Sequence, residues 1–438
     1  MFDISGKECI ENMHALDIIC IIAIAVVRIS GKNAIKNIST FVKDSPFNEK
    51  TPLSKVCFLV DKDGLIFDEA VVTSYVEPNS YTGENLVEIS CHGNPNIVSK
   101  IIDLSVEGGS TLAEPGEFTK TAFLNGKLDL SEAESVSAII HSKSITGAKA
   151  GVKNLKGGLS NKINSVKSSL VSVVANLEFN LDISEDDLQP NLLENSKKVV
   201  RVAIESLGGF LLTFRETKMF QAGASVVILG PPNAGKSTLF NCLVNKNQSI
   251  VTDVEGTTRD VVEKNIDING LPVLLKDTAG IRESGDSVEK IGVERSFVEA
   301  KEADLAIVLN DNELVFNDSK HLYVFNKSDI ASPEKEYDLY ISAKTGDNIQ
   351  ELKKLIYTTL VSSEAPADTL LTSKRQFIAI NNTLKHLKEA HSLIVAGDSL
   401  ELVVEDINRS IGFLDSITSK TTKDDILDAV FSSFCVGK

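Results

Sequence analysis

The chain reads as a multidomain α/β protein, and three observations predict this. Between residues 223 and 362, apolar runs of strand length each end in a turn-rich loop. On either side, apolar residues recur at helical spacing instead. Residues 18 to about 127 alternate strand-like runs with turn signals, the pattern of an α+β domain. The expected division is therefore 1–127 as an α+β domain, 128–222 as a first helical part, 223–362 as an α/β domain and 363–438 as a second helical part. An apolar helical stripe cannot stay solvated, so 128–222 and 363–438 are expected to pack as one bundle with the α/β domain inserted into it.

In chain order, Ile18 to Val27 form an unbroken apolar run, expected as a buried strand. Val56-Cys57-Phe58-Leu59-Val60 is a second strand, closed by the turn Asp61-Lys62-Asp63-Gly64. Glu69 to Val76 is a third. Leu159, Ile163, Val166, Leu170, Val173, Val174, Leu177 and Leu181 then lie along one helix face. Ser184-Glu185-Asp186-Asp187 and Pro190 end that helix, and Val199, Val200, Ala203, Ile204, Leu207, Leu211 and Phe214 mark the next. Strands are expected at Ser225–Leu229, Val273–Leu275, Leu305–Leu309, Leu322–Phe325 and Tyr337–Ile341. Helical spacing returns at Leu384, Leu387, Leu393 and Ile394. It returns again at Ile426, Leu427, Val430, Phe431 and Phe434, where Thr422-Lys423-Asp424-Asp425 supplies a helix start.

Length and charge narrow the classes. A chain of 438 residues suggests about two to four domains. With 61 acidic against 45 basic residues the net charge is −16, which argues against this chain alone forming the main contact with nucleic acid. Cys9, Cys20, Cys57, Cys91, Cys242 and Cys435 are scattered, with no C-x-x-C, as expected of free thiols in a reducing cytoplasm. The apolar run at Ile18–Val27 is too short to span a bilayer, which needs about 20 residues. Asp3, Glu8, Glu11 and Asp17 before it oppose a signal or transit peptide, and Cys435-Val436-Gly437-Lys438 is a poor prenylation box. No membrane association is expected.

The chemistry lies in the loops that follow the strands. Gly230-Pro231-Pro232-Asn233-Ala234-Gly235-Lys236-Ser237 fits G-x-x-x-x-G-K-[ST] after a strand. Backbone N–H groups of such a loop and of the following helix wrap phosphates. Lys236 is expected at the β- and γ-phosphates and the Ser237 hydroxyl on Mg²⁺. Chance alone produces this pattern in on the order of one chain in fifty of this length, so further motifs must carry the reading. Asn326-Lys327-Ser328-Asp329 supplies one: the Asp329 carboxylate accepts from both the ring N–H and the exocyclic amine of guanine, a pair that adenine lacks. Ser342-Ala343-Lys344 backs the base. In Asp277-Thr278-Ala279-Gly280, Asp277 is expected to hold Mg²⁺ through water and the Gly280 amide to sense the γ-phosphate. Thr257-Thr258 offers a further metal hydroxyl. Nucleotide contacts are expected over Asn233, Ala234, Gly235, Lys236, Ser237 and Thr238. They should also include Thr252, Asp253, Val254, Glu255, Gly256, Thr257 and Thr258. These motifs, in order and each at a strand end, predict a Ras-like P-loop GTPase domain.

One group is out of pattern. The position after Asp277-Thr278-Ala279-Gly280 holds Ile281, where Ras-like switches carry a water-orienting glutamine. An apolar side chain cannot do that work. Asn233, inside the phosphate loop, offers an amide oxygen to a monovalent cation, and carbonyls of Thr252–Thr258 could complete its shell. Such an ion would stabilise the charge that an arginine finger stabilises elsewhere. Glu289, Glu283, Asp286 and Glu294 are the acids available to position water.

The motifs also resemble a family. Asn233 to Ser237, Val251-Thr252-Asp253-Val254-Glu255-Gly256-Thr257-Thr258-Arg259-Asp260 and Asp277 to Glu283 resemble the MnmE (TrmE) tRNA modification GTPases. Related ribosome-assembly GTPases share this block. Arg28-Ile29-Ser30-Gly31, Ser80 to Glu88, Pro115 to Thr119, Phe123 to Leu130 and Phe434-Cys435-Val436-Gly437-Lys438 separate the two, since they resemble the family's folate-binding domain and Cys-containing tail. The resemblance implies a cytoplasmic homodimer working with an FAD-dependent MnmG-type protein in a heterotetramer, with tRNA brought mainly by the partner. It implies installation of an aminomethyl or carboxymethylaminomethyl group at C5 of a wobble uridine, from a tetrahydrofolate one-carbon unit (5,10-methylene or 5-formyl form). By the same resemblance Arg28, Glu88, Lys127 and Lys438 contact folate, and Asn233, Thr252, Val254 and Thr257 hold K⁺. Ser237 and Thr258 hold Mg²⁺, Glu289 is the catalytic acid, and Cys435 is catalytic.

The chain departs from the family in places. No turn residue interrupts Ile21 to Val27, where the family has a Gly/Pro-rich loop before Arg-Ile-Ser-Gly, and Met1–Leu16 looks additional. Asn310 stands where many GTPases have aspartate. The alternatives are a ribosome-assembly switch and a diverged paralogue that keeps only the GTPase. Against the first, residues 363–438 hold eight Lys/Arg and eleven Asp/Glu, unlike a basic RNA-binding appendage.

Overall fold

A computed structural model describes residues 23–181, 192–245, 262–277, 301–311, 320–332, 335–361, 371–419, 427, 430–432, 434 and 437. The chain divides into two compact units, residues 1–137 with 415–438, and residues 138–414.

The first unit holds an antiparallel sheet of β1 (Ile24–Ser30), β2 (Leu53–Val60), β3 (Ile66–Tyr75) and β4 (Leu86–His92) in the order β1-β4-β3-β2. Its inner face packs under α1 (Ala34–Ile38) and α2 (Pro95–Glu107), burying Ile29, Ile35, Ile38, Leu59, Val72, Ile89 and Ile101 in one core. Asn94 caps α2, its side chain accepting from the Asn96 N–H. Among the described residues, the other face is open around Ile24 and Val26. Ile24 is 70% and Val26 58% exposed, so the expected buried strand at Ile18–Val27 is corrected over its described part. The reason is position: β1 is an edge strand of a sheet covered on one face, so burial alternates along it. Residues 18–22 lie outside the described residues.

α3 (Glu117–Leu124) and the start of α4 (Leu130–His141) follow in this unit. The chain end returns here. Phe431 lies 6.5 Å from Phe123 and 5.3 Å from Phe434, centroid to centroid. A Cβ on Gly116 (φ +73) would meet the Phe431 carbonyl at 2.8 Å. Residues 415–438 fall with the first unit. Residues 427, 430 and 431 are helical, while the expected start at Thr422–Asp425 lies outside the described residues.

The second unit joins helices to a parallel sheet. α5 (Ile145–Leu155), α6 (Gly158–Leu181), α7 (Leu192–Ala222) and α10 (Lys374–Ala396) pack together, with α11 (Leu400–Thr418) following α10. Phe214 stacks on Phe377 at 4.5 Å, and Lys162 sits over the Phe210 ring. Helices that precede and follow the α/β segment in sequence are thus in contact. No described helix is long and apolar enough to cross a membrane.

The sheet runs β10-β9-β8-β5-β7-β6, from β5 (Ala224–Leu229), β6 (Val262–Ile268), β7 (Leu271–Asp277), β8 (Leu305–Leu309), β9 (His321–Asn326) and β10 (Leu339–Ile341). Only β6 is antiparallel. α8 (Lys236–Asn245) and α9 (Ile349–Leu360) pack on it. Leu305–Leu309 is buried at every residue, as a central parallel strand requires. The strand expected from Tyr337 begins only at Leu339.

The helices hold the first strand of this sheet. Ser144 caps α5, accepting from the Gly147 N–H and donating to the Phe220 carbonyl at 2.6 Å, while the Lys143 N–H donates to the Gln221 carbonyl. Gly223 (φ +93) turns the chain from α7 into β5, and the Ser225 N–H donates to Asp304 Oδ2 at 3.0 Å.

Candidate functional site

The described parts of the expected motifs (Gly230–Ser237, Asp277, Asn326–Asp329 and Ser342–Lys344) lie at the carboxyl ends of the parallel strands. β5 lies between β7 and β8, so the chain leaves it to opposite sides. That crevice is where open α/β sheets bind ligands. The loop Gly230–Gly235 fills it and α8 begins at Lys236, with Ser237 and Thr238 in its first turn.

The loop's glycines are fixed by close approach. A Cβ on Gly230 (φ +143) would lie 2.5 Å from the Leu309 carbonyl oxygen, and one on Gly235 (φ +91) 2.3 Å from Asn326 Nδ2. Asn233 holds the left-handed conformation at φ 61, at the exposed tip. Lys236 Nζ donates to the Gly230 carbonyl at 2.8 Å and the Pro231 carbonyl at 3.1 Å. Burial pushes the Lys236 ammonium below its ordinary range, and the Asp277 carboxylate opposes that shift. Asp277 ends β7, buried, beside Ile228 of β5. A hydroxyl and a carboxylate at this edge are hard oxygen donors, the chemistry that suits Mg²⁺.

Asn326 ties the loops together. It is buried at the end of β9. Its Nδ2 donates to the Ala234 carbonyl at 2.8 Å, and its Oδ1 accepts from the Ala343 N–H at 3.0 Å. One side chain therefore joins the phosphate loop to the Ser342-Ala343-Lys344 loop. Its own N–H donates to Asn310 Oδ1 at 2.6 Å. Asn310, φ 54, thus supports the base-reading loop from β8, a role invisible in sequence, where it read as a departure. Lys327 (φ 70) and Asp329 are exposed on that loop, and the Ser328 N–H donates to the Ile341 carbonyl. Lys344 is exposed beside them in the loop after β10.

Several expected residues lie outside the described ones: Thr252, Asp253, Val254, Glu255, Gly256, Thr257, Thr258, Thr278, Ala279, Gly280, Ile281, Glu289, Cys435 and Lys438.

A second polar cluster sits on the open face of the first unit's sheet. Arg28 and Glu88 are register partners on β1 and β4. Arg28 Nε and Nη2 both donate to Glu88 Oε1, at 3.0 and 2.5 Å. Nη1 donates to the Gly437 carbonyl at 3.3 Å, which brings the chain end to this face. The guanidinium lies 5.4 Å from the Tyr81 ring centroid and 5.5 Å from that of Phe118. Burial pushes the Tyr81 phenol above its ordinary range, with the Thr119 hydrogen bond and the Arg28 charge pulling it back. Lys127 stands apart from the ion pair, donating to the Pro78 carbonyl at 3.0 Å and lying beside Gly83. The loop between is held by Ser30 Oγ, which donates to Glu84 Oε2 at 3.1 Å and pairs with the Thr82 hydroxyl at 2.7 Å. The aromatic walls Tyr81 and Phe118 were missed as site residues. They come from separate segments, and no spacing within either one announces them.

Comparison with known proteins agrees with both ends of the molecule. Residues 19–127 match the model for the GTP-binding protein TrmE N-terminus, and residues 130–435 match that for the MnmE helical domain. A tRNA modification GTPase MnmE of Thermotoga petrophila is 36% identical over 440 residues, covering 95% of this chain and 97% of that one. Its namesake in Aquifex aeolicus is 37% identical over 434 residues, again with 95% and 97% covered.

Proposed function

The chain belongs to the family of tRNA modification GTPases MnmE, and from that premise we propose that it couples GTP hydrolysis to modification of C5 of the wobble uridine in tRNA. The observation that carries this reading is Asn326, which joins the phosphate loop to the base-backing loop at one sheet edge. Asp329 then reads the guanine edge, with Lys327, Ser342, Ala343 and Lys344 around the base. Asn233 to Thr238 cradle the phosphates.

In hydrolysis, Lys236 exchanges its two loop carbonyls for the β- and γ-phosphates. A phosphate there restores the charge that burial disfavours. Ser237, Thr258 and Asp277 would be the residues that hold Mg²⁺, their oxygens being the hard donors that ion favours. Bound Mg²⁺ neutralises charge on the phosphate oxygens. Asn233, Thr252, Val254 and Thr257 would hold K⁺, which would supply positive charge to the phosphates, and Glu289 would position the attacking water in place of Ile281. Turnover in K⁺ should exceed that in Na⁺ at least about tenfold, ~1.4 kcal/mol of barrier. Equal rates in the two salts would remove the cation from the mechanism.

The N-terminal α+β domain is proposed to bind a tetrahydrofolate derivative, the source of the one-carbon unit, through Arg28, Glu88, Lys127 and Lys438, with Cys435 at the reacting end. The donor set suits such a ligand. Cations match its glutamate carboxylates, a carboxylate matches the pterin N–H edge, and Tyr81 and Phe118 offer ring faces. The GTPase domain, about 223–362, is read as an insertion between 128–222 and 363–438. The exposed apolar residues of the first sheet support a homodimer, and a cytoplasmic location is proposed with it from the family resemblance. The acidic balance leaves tRNA to be brought mainly by an FAD-dependent MnmG-type partner.

Mass spectrometry of tRNA nucleosides from a strain lacking the gene tests the reading. Loss of the modified wobble uridine, restored by complementation, is expected. An unchanged nucleoside profile would move the chain to the ribosome-assembly or diverged-paralogue alternatives.

A further inference from the structure

Between α10 and α11 three ligand-type side chains converge, apart from every residue given a role above. His386 Nδ1 lies 2.9 Å from Asp406 Oδ1 and 3.2 Å from Glu389 Oε2. One ligand atom from each residue falls within 4.8 Å of the others. We propose that His386, Glu389 and Asp406 form a binding site for a divalent transition-metal ion of the zinc class, which clamps the two helices together.

The geometry carries the proposal. Zinc bonds of about 2.0–2.1 Å arranged tetrahedrally set neighbouring ligand atoms about 3.3 Å apart. The two separations from His386, 2.9 and 3.2 Å, sit just inside that spacing, and the Glu389 and Asp406 ligand atoms lie within 4.8 Å of each other, so small shifts of the side chains admit the ion. His386 and Glu389 are three residues apart on α10 and therefore share a face, and Asp406 reaches them from α11. The imidazole is held in plane by Phe413, stacked at 5.8 Å and 14°. The His386 and Asp406 side chains are each 16% exposed, against 47% for Glu389. Two ligands are thus set against protein, while the third opens on water and gives an entry path.

Donor chemistry selects the class of ion. One imidazole nitrogen with two carboxylate oxygens suits Zn²⁺, Co²⁺ or Fe²⁺. Mg²⁺ and Ca²⁺ favour all-oxygen shells. Charge agrees: two carboxylates carry about −2, which a divalent ion bound beside a neutral imidazole brings to about zero. Metal binding at Nδ1 uses the unprotonated nitrogen of the imidazole.

The test uses the full chain, freed of metal with a chelator and kept in excess Mg²⁺ to fill hard-oxygen sites. Zn²⁺ is titrated calorimetrically, and Co²⁺ serves as the spectroscopic probe. Wild type should take up a single Zn²⁺ more than either His386→Ala or Glu389→Gln. Its Co²⁺ complex should show visible ligand-field bands free of thiolate charge transfer. Glu389 is half-exposed, so Glu389→Gln keeps the comparison valid if His386→Ala folds poorly. Equal stoichiometry in wild type and Glu389→Gln would overturn the site and leave a hydrogen-bonded helix contact. A cobalt spectrum dominated by thiolate bands would overturn it too, assigning the uptake to cysteine.

Discussion

The two sheets of this protein build their candidate sites in opposite ways. In the mainly parallel sheet, four strands deliver candidate residues at their carboxyl ends, in stretches consecutive in sequence: Gly230–Ser237 after β5, Asp277 closing β7, Asn326–Asp329 from the end of β9, Ser342–Lys344 after β10. In the antiparallel sheet the site lies on a face, and its two charged members, Arg28 and Glu88, are neighbours only through the β1–β4 register. A loop site is written as a motif. A face site is written as a pairing, which a single strand does not reveal.

The comparison is broken most severely at the loop. Lys236→Ala should lower kcat/KM for GTP by about 10²–10³-fold, the cost of removing one preorganised charge from a phosphoryl-transfer site. Steady-state turnover measures it. A loss under about tenfold would mean that the Gly230 and Pro231 carbonyls, rather than phosphates, are the working partners of that ammonium.

How much could be read in advance follows the same division. The strand Leu305–Leu309 was legible to the residue, because a run buried on both faces has no polar alternation to blur its ends. The helices at Leu159–Leu181 and Val199–Phe214 were legible from apolar spacing, though α7 runs on to Ala222. Ile24 and Val26 were misread, because an apolar run does not say whether a second layer covers it. Asn310 carried no signal of its own, since its hydrogen bond to the Asn326 N–H depends on β8 and β9 lying side by side. The contacts of Phe431, Phe434 and Gly437 within the first unit rest on the fold rather than on spacing. Phe431 and Phe434 read as one face of a helix, and only the fold sets Phe123 against Phe431.

A second substitution sharpens the contrast on the face. Arg28→Ala removes a cation that the aromatic rings and Glu88 hold in place, so tetrahydrofolate affinity should fall about 10–100-fold, matching ~1.5–3 kcal/mol for hydrogen bonds to a charged group. GTP affinity should stay unchanged in the same protein, since none of the loop residues is altered. Calorimetric titration with each ligand separates the two. Equal weakening of both would show that Arg28 acts on folding of the whole chain rather than on one ligand.

The smallest expected effect lies in the apolar part of that same face. Val26, Ser90, Val71 and Val56 occupy one cross-strand row, and Arg28, Glu88, Thr73 and Ser54 the next, so the open face grades from apolar to charged across neighbouring rows. Val56 is exposed on the edge strand β2, and its replacement removes no buried contact from the monomer. Val56→Ser should therefore alter unfolding free energy by less than about 0.5 kcal/mol, as surface changes do. If the row is covered by a second copy, each buried valine contributes about 1 kcal/mol, and the dimer should weaken several-fold. Sedimentation across a dilution series reads the second quantity, and chemical denaturation of the monomer the first. A dimer unaffected by Val56→Ser, or by the same change at Val71, would place the homodimer contact elsewhere. The open face would then serve the Arg28–Glu88 site alone.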